Sequence, residues 1–190
     1  MKKLVILVSG NGSNLQAVID AVQTGIIAYS IEAVVSNKKE AFALKRAEAA
    51  GIKTIYLPFK KGSDRNAYDA ELAKTVNAFK PDCVFLLGWM RILTDDFILP
   101  FKDKLINLHP ALPGTFPGTE AIKRQYEAFH ANKITECGIM THFVPDERVD
   151  SGPVIFTQSV PLYSQDSLQT FEKRIHEAEH KLVVKTLQQI

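Results

Sequence analysis

The first half of the chain alternates short apolar runs with segments whose apolar residues repeat at helical spacing. Three of these runs, Lys3–Val8, Ile31–Val35 and Cys83–Leu87, have the length and residue types of buried strands. Strands separated by helices pair in parallel, because the chain must cross over the sheet before the next strand can begin. The alternation therefore predicts an α/β fold with a Rossmann-like, mostly parallel twisted sheet and helices on both faces.

The other elements are predicted from the same periodicities and from residues that begin or end helices. The remaining strands are expected at Lys53–Leu57, Leu105–Leu108, Gly138–Val144 and Val154–Val160. A first helix is expected after Asn14, and further helices are expected at Ala41–Ala50, Arg65–Phe79, Thr119–Ala131 and Ser167–Ile190. No linker or repeat interrupts them, so residues 1–190 are predicted to form a single domain.

Composition argues against several functional classes. The formal net charge of +2 provides no strong attraction to nucleic acid or to an anionic membrane. The apolar run after Lys3 is too short for a signal peptide, and no stretch is long enough to cross a bilayer. Cys83 and Cys137 have the sequence surroundings of small buried residues rather than of a disulfide framework. We therefore expect a cytoplasmic protein with small-molecule partners and neither nucleic acid nor membrane as a partner; the sequence leaves open whether it is a monomer or a homodimer.

The turn Ser9–Asn14 joins the first strand to the first helix and contains Gly10 and Gly12. Backbone N–H groups at such a helix start are free to bind an anion. Leu15 stands where a dinucleotide fingerprint has its third glycine, and Ser36 follows the next strand where an acidic residue would hold a ribose. A monophosphate is therefore favoured over a dinucleotide, although a plain strand-to-helix turn would have the same residues.

The stretch Leu105–Gly114 ends the fifth predicted strand with Asn107 and His109. Alternate strand residues point to the same side, so both side chains can face one substrate atom at the carboxyl edge of the sheet, where α/β proteins bind ligands. The alternative is a strand end whose polar residues only cap the strand before a proline-bearing loop.

Gly88–Leu93 follows the most apolar strand and places Trp89 and Met90 beside Arg91. Such a segment suits a pocket for a flat apolar ligand, and it equally suits residues that pack in the core.

The carboxyl-terminal helix contains His176-Glu177-Ala178-Glu179-His180, which matches the H-E-x-x-H pattern of zinc proteases. No later histidine or glutamate motif supplies a third ligand, so no metal is expected and a chance match is the preferred explanation.

Several segments together resemble the phosphoribosylglycinamide formyltransferases of purine synthesis. The matching segments, in the order of that family, are SGNGSNLQA, GWMRIL, INLHPALPG, MTHFV with DSGPVI, and AEH near the end. Only the Asn-x-His-Pro stretch is specific to formyl transfer by itself, but the set spans nearly the whole chain. The resemblance implies an enzyme that transfers a formyl group from 10-formyltetrahydrofolate to the amine of glycinamide ribonucleotide.

The resemblance also implies roles for individual residues. Its catalytic residues match Asn107, His109 and Asp150. The implied ribonucleotide site comprises Gly12, Ser13, Asn14 and Glu179, and the implied folate site comprises Arg65, Met90, Arg91, Ile92, Leu93 and Asn107, with the loop Asp146–Gly152 closing over the pterin. The N-terminal half would then bind the ribonucleotide phosphate, and the C-terminal half would supply folate-binding and catalytic loops.

The chemistry of the three catalytic candidates fits direct transfer. Negative charge develops on the formyl oxygen as the amine attacks, and an N–H of Asn107 and a proton on His109 would stabilise that charge. A carboxylate at Asp150 would favour the imidazolium and so raise the pKa of His109.

The chain departs from many relatives of that family at three places. Ala111–Gly114 replaces a Ser-Leu-Leu-Pro segment, Thr119–Ala121 replaces histidines often found just beyond this loop, and His176 stands where relatives often have lysine. Two alternatives share the expected pocket: a formyltetrahydrofolate hydrolase, and a non-catalytic folate- or nucleotide-binding protein. An enzyme that formylates methionyl-tRNA is disfavoured, because it would need a more basic surface.

Overall fold

A computed structural model describes residues 1–60 and 62–190; Lys61, in the predicted loop Phe59–Asp64, lies outside the described residues. The elements, in chain order, are β1 (Lys2–Val8), α1 (Ser13–Gln23), β2 (Tyr29–Ser36), α2 (Phe42–Ala49), β3 (Thr54–Tyr56), α3 (Arg65–Asn77), β4 (Cys83–Leu86), α4 (Asp95–Phe101), β5 (Leu105–His109), α5 (Ala121–His130), β6 (Gly138–Phe143), β7 (Val154–Ser159) and α6 (Leu168–Gln189).

The strands form one seven-stranded sheet with the order β3-β2-β1-β4-β5-β6-β7. Strands β1 to β5 pair in parallel, whereas β6 pairs antiparallel with both β5 and β7. The prediction of a mostly parallel Rossmann-like sheet is confirmed. The antiparallel pairing of β6 with β7 agrees with their connection, which contains no helix and so provides no parallel crossover, whereas β5 and β6 are antiparallel although α5 lies between them.

From β1 the sheet extends in both directions: β2 and β3 lie on one side of β1, and β4, the next strand along the chain, lies beside β1 on its other side. Because β1 and β4 are neighbours, their following loops diverge at this point, and a crevice opens at the carboxyl edge of the sheet. The segments after β1, β4 and β5 therefore converge at the place where a doubly wound sheet binds ligands.

Two apolar cores cover the faces of the sheet. In β1 the completely buried Leu4, Ile6 and Val8 belong to one core, and Val5 and Leu7 belong to the other. The first core is completed mainly by α1 and α6, and the second by α3 and α4. This alternation is the period-2 pattern of a strand buried on both sides, and it confirms the prediction of helices on both faces.

The helix ends follow local chemistry. Ser167, the predicted cap of the last helix, accepts a hydrogen bond from the amide of Thr170 at 3.1 Å. The helix predicted at Thr119–Ala131 begins only at Ala121, because Glu120 has a φ of 56° and cannot continue a right-handed helix. No helix among the described residues has the length and apolarity that crossing a membrane requires.

Candidate active site

The glycine turn after β1 and the loop after β4 form one connected edge of the crevice. The Ser9 amide donates to the Gly88 carbonyl at 3.0 Å, and the Ser9 hydroxyl accepts from the Met90 amide at 3.0 Å. A single residue therefore fixes the anion turn against the loop that was predicted to bind a flat ligand.

Asn107, His109 and Asp150 meet at the end of β5, although Asp150 lies in the loop between β6 and β7. The Asn107 amide nitrogen donates to Oδ1 of Asp150 at 3.0 Å, and Nδ1 of His109 lies 3.2 Å from Oδ2. The amide of Gly118 also donates to Oδ2, at 2.8 Å. Asp150 has a φ of 51°, a strained backbone conformation that points to a functional constraint on this loop. The structure thus brings together all three predicted catalytic residues.

His142 also belongs to this cluster, and the sequence analysis did not assign it a role. It lies directly opposite Asn107 in the β5–β6 ladder and is 2% exposed. Its Nε2 is 3.2 Å from the Asn107 amide nitrogen and 3.5 Å from Oδ1 of Asp150. A histidine inside an otherwise apolar strand was the available signal, but its position depends on an antiparallel register that periodicity does not reveal.

Asp150 is ionised, as the sequence analysis assumed, but the pKa of His109 differs from the prediction. Burial raises the pKa of Asp150, but hydrogen bonding by His142 and Gly118 and the nearby His109 lower that pKa by more, so Asp150 stays ionised. Burial lowers the pKa of His109, and the Asp150 carboxylate raises it by less. The carboxylate acts in the predicted direction, but the net pKa of His109 lies below its ordinary value, because the ring is only 3% exposed.

The second nitrogen of His109 faces the loop that follows β5. Nε2 lies 3.2 Å from the carbonyl oxygen of Phe116, which also accepts from Arg124 of α5 at 2.7 Å. Phe116 has a φ of 47°, and the Arg124 guanidinium donates to the neighbouring Pro117 carbonyl as well. Both ring nitrogens of His109 therefore face oxygen atoms that can only accept a hydrogen bond.

The predicted ribonucleotide residues also converge. Gly12, with a φ of 78°, precedes the first residue of α1, where free amides face the crevice. Asn14 donates to Oε2 of Glu179 on α6 at 3.1 Å, and Nδ1 of His176 lies 2.8 Å from the same oxygen. The hydrogen bond to Glu179 raises the pKa of His176.

The two glutamates of the zinc-protease segment have different surroundings in the structure. Its glutamate, Glu177, is exposed, whereas Glu179 is 4% exposed and pairs with His176 and Asn14. Among residues 1–60 and 62–190, no three His, Cys, Asp or Glu side chains are grouped as metal ligands.

The predicted folate segment alternates between outward and inward side chains. Met90 and Ile92 are 67% and 53% exposed, whereas Leu93 is buried. Arg65 donates to the Ile92 carbonyl at 3.2 Å, so this predicted site residue contacts the segment from α3. Glu147 connects the loop Asp146–Gly152 to the same region, because its carboxylate accepts from the first amide of α4 at 3.0 Å.

Comparison with known proteins gives a consistent result. Residues 2–187 match the Formyl transferase family. A phosphoribosylglycinamide formyltransferase from Schizosaccharomyces pombe is 45% identical, over 98% of this chain and 96% of that protein. A protein of the same name from Escherichia coli K12 is 42% identical, over 94% of this chain and 82% of that protein. The crystal structure of glycinamide ribonucleotide transformylase 1 from Symbiobacterium toebii superposes with a TM-score of 0.92 at 32% identity, over 99% of this chain and 86% of that one.

Proposed function

Since the chain belongs to the formyl transferase family and is a formyltransferase enzyme, we propose that it transfers the formyl group of 10-formyltetrahydrofolate to the amine of glycinamide ribonucleotide. The observation that carries this proposal is the convergence of Asn107, His109 and Asp150 between an anion-binding turn and an apolar loop. We assign the reaction to purine synthesis in the cytoplasm, in keeping with the names of the relatives and the sequence pattern.

The ribonucleotide is held by the turn after β1 and by α6. Backbone amides at Gly12, Ser13 and Asn14 bind its phosphate, because a helix start offers free donors and a partial positive charge. Glu179 accepts hydrogen bonds from the ribose hydroxyls, which its buried carboxylate can do without losing its contact with Asn14.

The folate binds across the loop after β4. The exposed Met90 and Ile92 offer an apolar surface to a flat ring, and the polarizable thioether of Met90 is well suited to an aromatic face. Arg65 contacts the same loop at Ile92, and the loop Asp146–Gly152 reaches the start of α4 just beyond it through Glu147. The formyl carbon then reaches the end of β5, where the ribonucleotide amine approaches from the phosphate side.

His109 acts first as a base in the proposed mechanism. Its lowered pKa leaves the ring mostly neutral near pH 7, and the ionised Asp150 fixes the hydrogen on Nδ1. Nε2 then accepts the proton that the amine loses as its nitrogen bonds to the formyl carbon. The resulting imidazolium, paired with Asp150, stabilises the formyl oxyanion and returns the proton to the departing folate nitrogen as the old carbon–nitrogen bond breaks.

Two contacts must be exchanged before this chemistry begins. Nε2 of His109 faces the Phe116 carbonyl, so substrate binding has to displace that oxygen. The amide nitrogen of Asn107 donates to Oδ1 of Asp150, so the formyl oxygen has to replace that acceptor or approach the other amide hydrogen. After these exchanges the Nε2 lone pair of His109 faces the substrate amine, and an N–H of Asn107 faces the formyl oxygen. Both groups take these partners only when substrate is bound.

The decisive experiment mixes the protein with 10-formyltetrahydrofolate, with and without glycinamide ribonucleotide, and follows formation of the folate product. Turnover that requires the ribonucleotide supports the proposal. Turnover with water alone would instead indicate a hydrolase, and binding of both compounds without turnover would indicate a non-catalytic binding protein.

A further inference from the structure

Buried polar atoms without a hydrogen-bond partner are concentrated beneath the loop after β4. Among the described residues seven such side-chain atoms occur, and four of them belong to Asp69, Trp89, Arg91 and Thr94. Burying a polar atom without a partner costs stability, so such groups are expected mainly where a fixed geometry serves a function.

Asp69 makes the buried contact that holds this loop. It lies on α3, is completely buried, and its Oδ2 accepts a hydrogen bond from the Thr94 amide at 2.6 Å. Thr94 comes directly before α4 and ends the segment 90–94. Asp69 therefore holds Thr94, the last residue of the segment, against α3.

Two other side chains hold the same segment, but neither is completely buried. Ser9 accepts from the Met90 amide at 3.0 Å, and Arg65 donates to the Ile92 carbonyl at 3.2 Å. Ser9 is partly buried and Arg65 is exposed, so water competes for both contacts. The contact of Asp69 is shielded from water and is therefore the strongest of the three anchors.

Arg91 is the inward-facing residue of the segment, and it packs on two aromatic rings, one of which is next to Asp69 in the chain. The Arg91 guanidinium lies 3.4 Å from the centre of the Phe59 ring and 5.1 Å from that of Tyr68, the neighbour of Asp69. Burial raises the pKa of Asp69, while the hydrogen bond from the Thr94 amide and the Arg91 and Arg65 charges lower it by less. Arg91 packs inward on these two rings, whereas Met90 and Ile92 on either side of it are exposed.

We propose that Asp69 is a positioning residue for the folate-side pocket: its carboxylate fixes segment 90–94 so that Met90 and Ile92 form a preformed apolar wall. The proposal rests on the proposed function, because the wall is assigned to folate. A segment that is ordered before the ligand arrives loses less conformational freedom on binding, so the anchor strengthens binding without touching the ligand.

Two measurements on the full chain test this role. In Asp69→Ala the KM for 10-formyltetrahydrofolate should rise about tenfold, as expected if the ordered segment falls to about a tenth of the population. The KM for glycinamide ribonucleotide and kcat should change by less than about twofold. Amide hydrogen exchange of residues 90–94, measured without ligand, should accelerate by about tenfold or more, because most molecules then have the segment open.

Asp69→Asn provides the conservative variant. Asparagine keeps an oxygen that can accept from the Thr94 amide but loses the charge that faces Arg91. We expect only about a threefold rise in the folate KM and largely retained exchange protection. If Asp69→Ala does not fold, this variant decides, and unchanged folate KM together with unchanged exchange would overturn the proposal.

Asp64→Ala is the matched control, since Asp64 caps the same helix by accepting from the amides of Asn66 at 2.8 Å and Ala67 at 3.5 Å. It weakens the start of α3, where Arg65 lies, but leaves the contact between Asp69 and Thr94 in place, so the folate KM should rise far less than in Asp69→Ala. An equal rise of the folate KM in Asp64→Ala and in the Asp69 variants, or an equal rise in the KM of both substrates, would show that Asp69 only stabilises the fold.

The two proposals fail in different ways. Absence of ribonucleotide-dependent turnover in the wild-type protein would refute the proposed function. Exchange of residues 90–94 is measured without any substrate, so wild-type exchange in Asp69→Ala would refute the positioning role whatever the reaction is.

Discussion

His109 is subject to two opposing influences, and their balance suits a group that must both accept and return a proton. Burial favours the neutral ring, whereas Asp150 and the Phe116 carbonyl each present an acceptor to one of its nitrogens. A neutral imidazole has one N–H and can satisfy one acceptor, while the imidazolium satisfies both. Neither protonation state is therefore strongly disfavoured, which is what general acid–base catalysis near neutral pH requires.

Removal of either polar group at the end of β5 should reduce the rate and leave the fold intact. We expect His109→Ala and Asn107→Ala each to lower kcat by about 10² or more, because one proton carrier or one oxyanion donor is lost. Steady-state kinetics gives the rate, and the far-UV circular dichroism spectrum checks the fold. Turnover near the wild-type level in a folded variant would remove that residue from the mechanism.

Asp150→Asn should change the pH dependence as well as the rate. The carboxylate raises the pKa of His109, so its loss should lower that pKa further below the ordinary value. The imidazolium that forms when His109 takes the proton of the amine then loses its paired charge, and Nδ1 loses the acceptor that fixes its hydrogen, so kcat should fall by about 10². The pH–rate profile and an NMR titration of the His109 ring measure both effects, and a profile that keeps its wild-type form would mean that the loop only covers the site.

Single-residue assignments were predictable to different degrees. Asn107 and His109 could be identified from strand alternation, because both lie in one strand. Asp150 was placed only by family resemblance, and His142 was missed, since each reaches the site through tertiary pairing across the antiparallel end of the sheet. The net pKa of His109 also depends on burial, which a local pattern does not reveal.

At the scale of elements, the sequence predicted the parallel part of the sheet better than its antiparallel end. Runs such as Lys3–Val8 and Cys83–Leu87 are buried on both faces, so their composition alone identifies them as inner strands. Helix ends were shifted where the backbone takes a positive φ, as at Glu120, because such conformations follow from packing rather than from periodicity.

The turn between β1 and α1 should be intolerant of a side chain at one of its two glycines. Gly12 has a φ of 78°, and a Cβ there would lie 2.5 Å from the Cβ and 2.8 Å from the Cα of Ala43. Gly12→Ala should therefore lower the free energy of unfolding by roughly 1–3 kcal/mol, and displacement of the turn should weaken ribonucleotide binding. Urea unfolding and the KM for glycinamide ribonucleotide measure the two effects.

Gly10→Ala is the control, since nothing lies within 4 Å of a Cβ at that position and its φ is not positive. It should change the free energy of unfolding by less than about 1 kcal/mol. Equal destabilisation by both substitutions would mean that the close approach of Gly12 to Ala43 is not what constrains the turn.

At the scale of the whole molecule, the two halves of the chain are interlocked. The sheet continues from β4 to β5, and α6 returns to pack on α1. The carbonyl oxygen of Ile190 accepts from Lys2 at 2.6 Å and from the Tyr29 hydroxyl at 3.2 Å, so the last residue is bound beside the first strand. Both halves contribute residues to the same core, and we propose on this ground that residues 1–190 unfold as a single domain.

Cooperative unfolding tests this single-domain prediction. Leu182 of α6 is 1% exposed in one core, and Trp89, the only tryptophan, belongs to the core on the opposite face. Leu182→Ala should lower the free energy of unfolding by about 2–5 kcal/mol, the range for a leucine deleted from a packed interior. In a single domain, urea transitions followed by tryptophan fluorescence and by far-UV circular dichroism should shift together to the same lower midpoint. If the fluorescence midpoint kept its wild-type value while the dichroism midpoint fell, the two faces would unfold independently and the chain would contain more than one cooperative unit.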